Sequence, residues 1–132
     1  MSKYIFPSDL EYVKHASQKI VDEVSSQAID SDDMIDIKLC FEEAFINAVR
    51  HGNRSNGDLT VDVEVVLDEN SVGIFVRDEG EGFDFEGCPD PTKEENLKKT
   101  NGRGVFFIKQ FMDETRYDKK TKCLFMKKYF NK

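Results

Sequence analysis

The clearest alternation in the chain is LTVDVEVVL, where Val61, Val63 and Val65 take one side of a two-residue period and Asp62 and Glu64 the other. Successive side chains of a strand point to opposite faces, so this stretch predicts a half-buried strand. LDENS supplies a turn, and VGIFVRD a second strand. Upstream, KYIF before Pro7 reads as a short opening strand. Ser8 or Asp9 then caps a helix whose apolar positions are Leu10, Val13, Ile20 and Val24 and which runs to about Gln27. IDSDD marks a turn and a second capping site. The next helix is predicted from about Asp32 to His51, with Gly52 as its stop. GRGVFFIKQFMD reads as a glycine turn and a helix, and ETRYD, KKT and KCLFMKKYF as a closing strand pair.

The order is thus β-α-α-β-β-loop-α-β-β, with no internal repeat. Consecutive strands joined by short turns imply an α+β layering, an α/β sandwich whose sheet is mixed but mostly antiparallel, with helices on one face. A doubly wound parallel sheet would need helices and strands in alternation. At 132 residues, 1–132 is expected to form a single domain. Between Glu79 and Asn101 lies a stretch rich in Gly, Pro and charge, and loops of that length are usually functional or mobile.

Charge narrows the function. A formal net charge of -7 opposes a phosphate backbone, so direct nucleic-acid binding is not expected. A single nucleotide is not excluded, since one phosphate chain needs only local donors and a metal ion. The late basic run DKKTKCLFMKKYFNK reads as a solvated hairpin and tail. Cys40, Cys88 and Cys123 are odd in number and widely spaced, which argues against a disulfide framework and a zinc site. The start MSKYIFPSDLEY has no leader pattern and nothing approaches a membrane span, so the expected location is cytoplasmic.

Three constellations carry candidate chemistry. In FEEAFINAVRHGN, Glu43, Asn47 and His51 stand at four-residue steps on one helix face. A solvated face is one reading. The other takes the Asn47 carbonyl as a hard oxygen ligand for magnesium and Glu43, one turn earlier, as a base for an attacking hydroxyl. Asn is a poor choice within a helix, and Phe41, Ala44, Phe45, Ile46, Ala48 and Val49 leave little of this helix for water. In RDEGEGF, Asp78 ends a strand and Gly80 and Gly82 follow. That is either a plain turn or a carboxylate that accepts from an exocyclic amine such as adenine's, with glycines allowing close backbone approach. Glu79 and Glu81 would then have to point away from an anionic ligand. In TNGRGVFFIKQ, Gly102 and Gly104 lead into a helix, as a flexible lead-in or as a phosphate cradle of free N–H groups. Arg103 could serve phosphate or a partner's carboxylate.

EAFINAVRHGN, DEGEGF and GRGVFFI, in that order across nearly the whole chain, resemble the nucleotide-binding motifs of the GHKL ATPase/kinase superfamily. The NA..HG ending is most similar to the anti-sigma-factor serine/threonine kinases. The resemblance implies a Bergerat-type ATP-binding fold, ATP and Mg2+ as cofactors, Glu43 as general base and Asn47 as the magnesium ligand. It implies Asp78 as the adenine reader with Gly80 and Gly82. Gly102, Arg103 and Gly104 match the glycine box at the phosphate end, His51 lies near the nucleotide, and residues 88–100 form the lid. It further implies a STAS-type anti-anti-sigma protein as phosphoacceptor, a sigma factor as second partner, and a homodimer. Val105 and Phe106 replace a more usual Leu-rich continuation. His15, in EYVKHASQKI, does not stand in a segment like the acceptor helix of a sensor histidine kinase. A non-catalytic ATP-binding regulatory module that sequesters a partner is the alternative.

Overall fold

In the computed structural model, residues 1–54, 56–80 and 103–130 are described, with the backbone alone for Arg103. Five strands form one sheet: β1 (Ser2–Pro7), β2 (Thr60–Leu67), β3 (Ser71–Asp78), β4 (Glu114–Asp118) and β5 (Cys123–Tyr129). Their order is β1-β2-β3-β5-β4. Every pair is antiparallel, so the parallel component expected of a mixed sheet does not occur among the described strands. Short turns between β2 and β3 and between β4 and β5 leave no room for a crossover, which accounts for the antiparallel pairing of those two hairpins.

The alternation in the sequence sets the two faces. Val61, Val63 and Val65 of β2, Ile74 and Val76 of β3, and Leu124 and Met126 of β5 are buried on one side. On the other, Arg77 pairs with Asp62 at 2.6 Å, Phe75 packs on Phe125 with ring centroids 4.7 Å apart, and Arg116 covers the Phe125 ring. No described helix covers this second face. A cavity of about 330 Å³ lies on it, lined by Tyr4, Phe75, Arg77 and Cys123 among others, and includes none of the candidate site residues.

Three helices cover the first face: α1 (Val13–Val24), α2 (Ser31–Asn47) and α3 (Arg103–Phe111). The helix predicted to Gln27 ends at Val24, and a 3-10 turn over Leu10–Tyr12 precedes it. Asp9 accepts from the Glu11 N–H at 2.9 Å and so caps that turn. In α2, Ile37, Cys40, Phe41, Ala44 and Phe45 fall at helical spacing and are almost wholly buried. Asp32 and Asp33 in its first turn complement the helix dipole, although Asp30 makes no side-chain cap. Each fully buried Phe here contributes about 1.5–3 kcal/mol relative to exposure.

α2 does not continue regularly to His51. Ala48–Gly52 form a π-helical turn, closed by a hydrogen bond from the Asn53 N–H to the Ala48 carbonyl at 2.8 Å. Such turns break the four-residue stacking of side chains. Among the described residues, no helix is long and apolar enough to cross a membrane.

Candidate functional site

α2 brings the three constellations together as far as they are described. Glu43 is half-buried on the flank of α2 that meets α3. Gly104, in the first turn of α3, lies against it: a Cβ on Gly104 would stand 3.2 Å from Glu43 Cδ and closer still to the carboxylate. The leading N–H groups of a helix have no partner within it. A carboxylate and a helix N-terminus therefore converge at one point.

Burial is the main influence on Glu43 and pushes its carboxyl above the ordinary range. The neighbouring Glu42 carboxylate adds to this, and Arg50 pulls it partly back. Glu42 itself is anchored to α1, accepting a hydrogen bond from Ser17 Oγ at 3.2 Å. One turn beyond Glu43, Asn47 is 7% exposed, and its buried Nδ2 has no hydrogen-bond partner among the described residues. A buried amide group without a partner costs about 1–3 kcal/mol, so this one calls for a bound water or ligand to satisfy it.

His51 departs from the predicted stripe. The π-helical turn rotates it away from Glu43 and Asn47, and it is exposed while Asn47 is buried. The extra residue delivers Gly52 and Asn53 to the sheet instead. Gly52 sits against Asp78 at the end of β3, where a Cβ would lie 2.7 Å from Asp78 Cβ. Gly80 in turn packs on the Gly52 backbone, where a Cβ would lie 2.8 Å from the Gly52 carbonyl carbon. Asp78 is 4% exposed, and its Oδ1 accepts from the Gly80 N–H at 3.0 Å. Its backbone N–H reaches the Lys122 carbonyl, and Lys122 Nζ donates to the Gly80 carbonyl. Lys122 itself adopts a left-handed backbone conformation, φ 59°.

Asn53 was not singled out by the sequence, and it ties these pieces together. Its Oδ1 accepts from the Glu79 N–H at 2.8 Å, and its Nδ2 donates to Ser8 Oγ and to the Thr60 carbonyl, each at 3.0 Å. Glu79 points away from Asp78, as an anionic ligand would require: its carboxylate accepts from Thr60 Oγ1 at 2.7 Å and from the Thr60 N–H at 3.1 Å. An Asn just after a helix-stopping Gly was the available signal. Its partners, distant in sequence, gave none.

Gly82, Gly102, Glu81 and the lid segment 88–100 lie outside the described residues, as does the Arg103 side chain. Arg103 and Gly104 do open α3, as expected. Among the described residues no group of three His, Cys, Asp or Glu side chains could hold a metal ion.

Comparison with known proteins bears on this geometry. The family described as "Histidine kinase-like ATPase domain" matches residues 6–128. The chain is similar to "Serine-protein kinase RsbW" of Staphylococcus aureus strains JH9 and Newman, 29% identical over 134 residues, spanning 96% of this chain and 84% of the relative. The protein of the same name in strain MSSA476 is 28% identical over the same span.

Proposed function

Because this chain belongs to the histidine kinase-like ATPase domain family, we propose that it is a serine/threonine-protein kinase that binds ATP with magnesium and phosphorylates an anti-anti-sigma protein. The observation that carries this reading is the meeting of Glu43 with the start of α3, one turn from the buried amide of Asn47. Similarity to proteins named serine-protein kinase supports the same class.

In this reading Asp78 accepts from the adenine amine. Gly52 and Gly80 allow the close packing that seats Asp78, and Asn53 holds the Asp78–Gly80 turn against the end of the α2 helical run. The first turn of α3, with Gly102, Arg103 and Gly104, receives the phosphates. Asn47 would hold magnesium through its carbonyl oxygen, since a single hard oxygen suffices when phosphates and waters supply the rest, and its unpartnered Nδ2 would donate to a phosphate or water oxygen beside it. Bound there, the ion would neutralise phosphate charge during transfer.

Glu43 takes the proton of the acceptor hydroxyl. The hydroxyl oxygen forms its bond to the γ-phosphorus, the bond to the β–γ bridging oxygen breaks, and ADP leaves. A carboxyl raised above its ordinary range is a better proton acceptor than a free one, at the expense of being ionised over a narrower pH range. The added phosphate charge releases the acceptor protein and frees this chain to hold a sigma factor. We assign it the homodimeric, cytoplasmic, single-domain form that this role implies.

Transfer of labelled γ-phosphate from ATP to anti-anti-sigma proteins of the same genome is the test, with Glu43→Gln alongside. Label on Ser or Thr that disappears in the variant is expected. Tight ATP binding with no transfer to any candidate would replace the kinase with a non-catalytic ATP-binding module.

A further inference from the structure

The helix layer leaves large apolar side chains uncovered beside Glu43. On α2, Ile35 is 54% and Leu39 52% exposed, and on α3, Phe107 is 48% and Phe111 39% exposed. Members of each pair are four residues apart, so each pair forms a ridge along its helix. Phe107 and Phe111 stack with centroids 6.0 Å apart.

The two helices pass each other in opposite directions. Gly104 meets Glu43, Cys40 Sγ contacts the Phe107 carbonyl at 3.9 Å, and Lys128 Nζ joins the Phe111 carbonyl, at 2.8 Å, to Asp36. The ridges therefore lie side by side at the same level. Ile35, Leu39 and Glu43 are successive four-residue steps of one regular helix, so Leu39 stands about 6 Å from Glu43 along the axis. Single exposed apolar residues need no explanation, whereas four on adjoining ridges mark an interaction surface.

We propose that this α2/α3 ridge docks the protein whose Ser or Thr receives the phosphoryl group, an inference that rests on the kinase reading above. The position of the ridge supplies one reason: a partner seated on it holds its hydroxyl at the end where Glu43 lies, and such positioning is where most of the rate of transfer arises. Charge supplies the other. At 100° per residue, Asp32, Glu42 and Glu43 share the outward half of α2 with Ile35 and Leu39, against Lys38 on the same half, while Asp36 is paired with Lys128. The occupant accordingly presents apolar side chains to the ridge and Lys or Arg to the Asp32 end, and the net charge of -7 favours its approach.

The test uses the full chain, ATP with magnesium, and the purified anti-anti-sigma proteins of the same genome as probes. Leu39→Glu and Phe107→Glu replace exposed side chains, so the fold should survive. Each is expected to raise KM for the protein acceptor roughly tenfold or more, with kcat and ATP affinity within about twofold of wild type. Asp32→Lys should raise KM and flatten its dependence on salt. Unchanged KM in both apolar variants, with transfer intact, would overturn the docking surface alone. Absence of ATP binding or of transfer by the wild type would overturn the kinase reading and the acceptor as occupant. A wild-type dimer that Leu39→Glu splits into monomers, with KM unmoved, would assign the ridge to a second copy of the chain.

Discussion

The carboxylate of Asp78 rests on the backbone of Gly52, which joins the end of the α2 helical run to the end of β3. No side chain fits between them. Gly52→Ala must therefore push Asp78 aside while leaving the rest of the core intact. Nucleotide affinity is expected to fall by tenfold or more, about 1.4 kcal/mol, in a titration with a fluorescent ATP analogue. Asp78→Asn should reduce the preference for adenine over guanine as well as the affinity, because it exchanges an acceptor for a group that also donates.

Glu43→Gln is expected to lower phosphoryl transfer by about 10²–10⁴ with ATP affinity retained. Wild-type activity should fall on the acid side at a higher pH than an ordinary carboxylate would give, because burial raises the Glu43 carboxyl.

The same shift has a consequence for stability. A carboxyl raised in the folded state favours folding fully below its unfolded value, near ~4.3, and that contribution is lost as pH rises through the folded value. At neutral pH the ionised group opposes folding. Glu43→Gln should then melt at a higher temperature than wild type at pH 7, with the gain shrinking toward zero near pH ~3. A gain that persists in acid would dismiss this account.

Asn53→Ala removes three hydrogen bonds of a nearly fully buried side chain and leaves the Glu79 N–H without its acceptor. At about 1 kcal/mol for each, the loss should be roughly 2–3 kcal/mol in chemical denaturation. Asn53→Asp keeps the acceptor toward Glu79 but sets a carboxylate against the Thr60 carbonyl, so it should not rescue stability.

Cys40 is 1% exposed, and burial, with Asp36 adding, pushes its thiol up to about 12. Cys123 is raised too, chiefly by burial. At pH 8 the Cys40 thiolate fraction is on the order of 10⁻⁴, so iodoacetamide should spare Cys40 in the native protein and modify it readily in denaturant. Peptide-resolved mass spectrometry would detect the contrast.

The residues that could be read in the sequence are those whose partners follow from local period. Alternating Val61, Val63 and Val65 and the spacing of Phe41, Ala44 and Phe45 give burial directly, and those elements appear where expected. Gly104 and Asp78 could be recognised as chemistry but not placed, because their neighbours Glu43 and Gly52 are distant along the chain. Asn53, Thr60 with Glu79, Ser17 with Glu42, and Lys122 were invisible for the same reason. His51 was misjudged: a regular 3.6-residue period was extended through a stretch that is not α-helical.

The π-helical turn at Ala48–Gly52 amounts to one residue inserted in a helix that could have run on without it. Deleting Arg50, which is exposed, would allow the ladder of α2 to continue in register and would turn everything downstream by about 100°. The shortened helix would be more regular than the natural one. Yet Gly52 would swing off Asp78 and Asn53 off Ser8, and the Asp78–Gly80 turn would lose its footing. In this protein the most regular helix and the helix that seats Asp78 are different sequences, and they differ by a single residue.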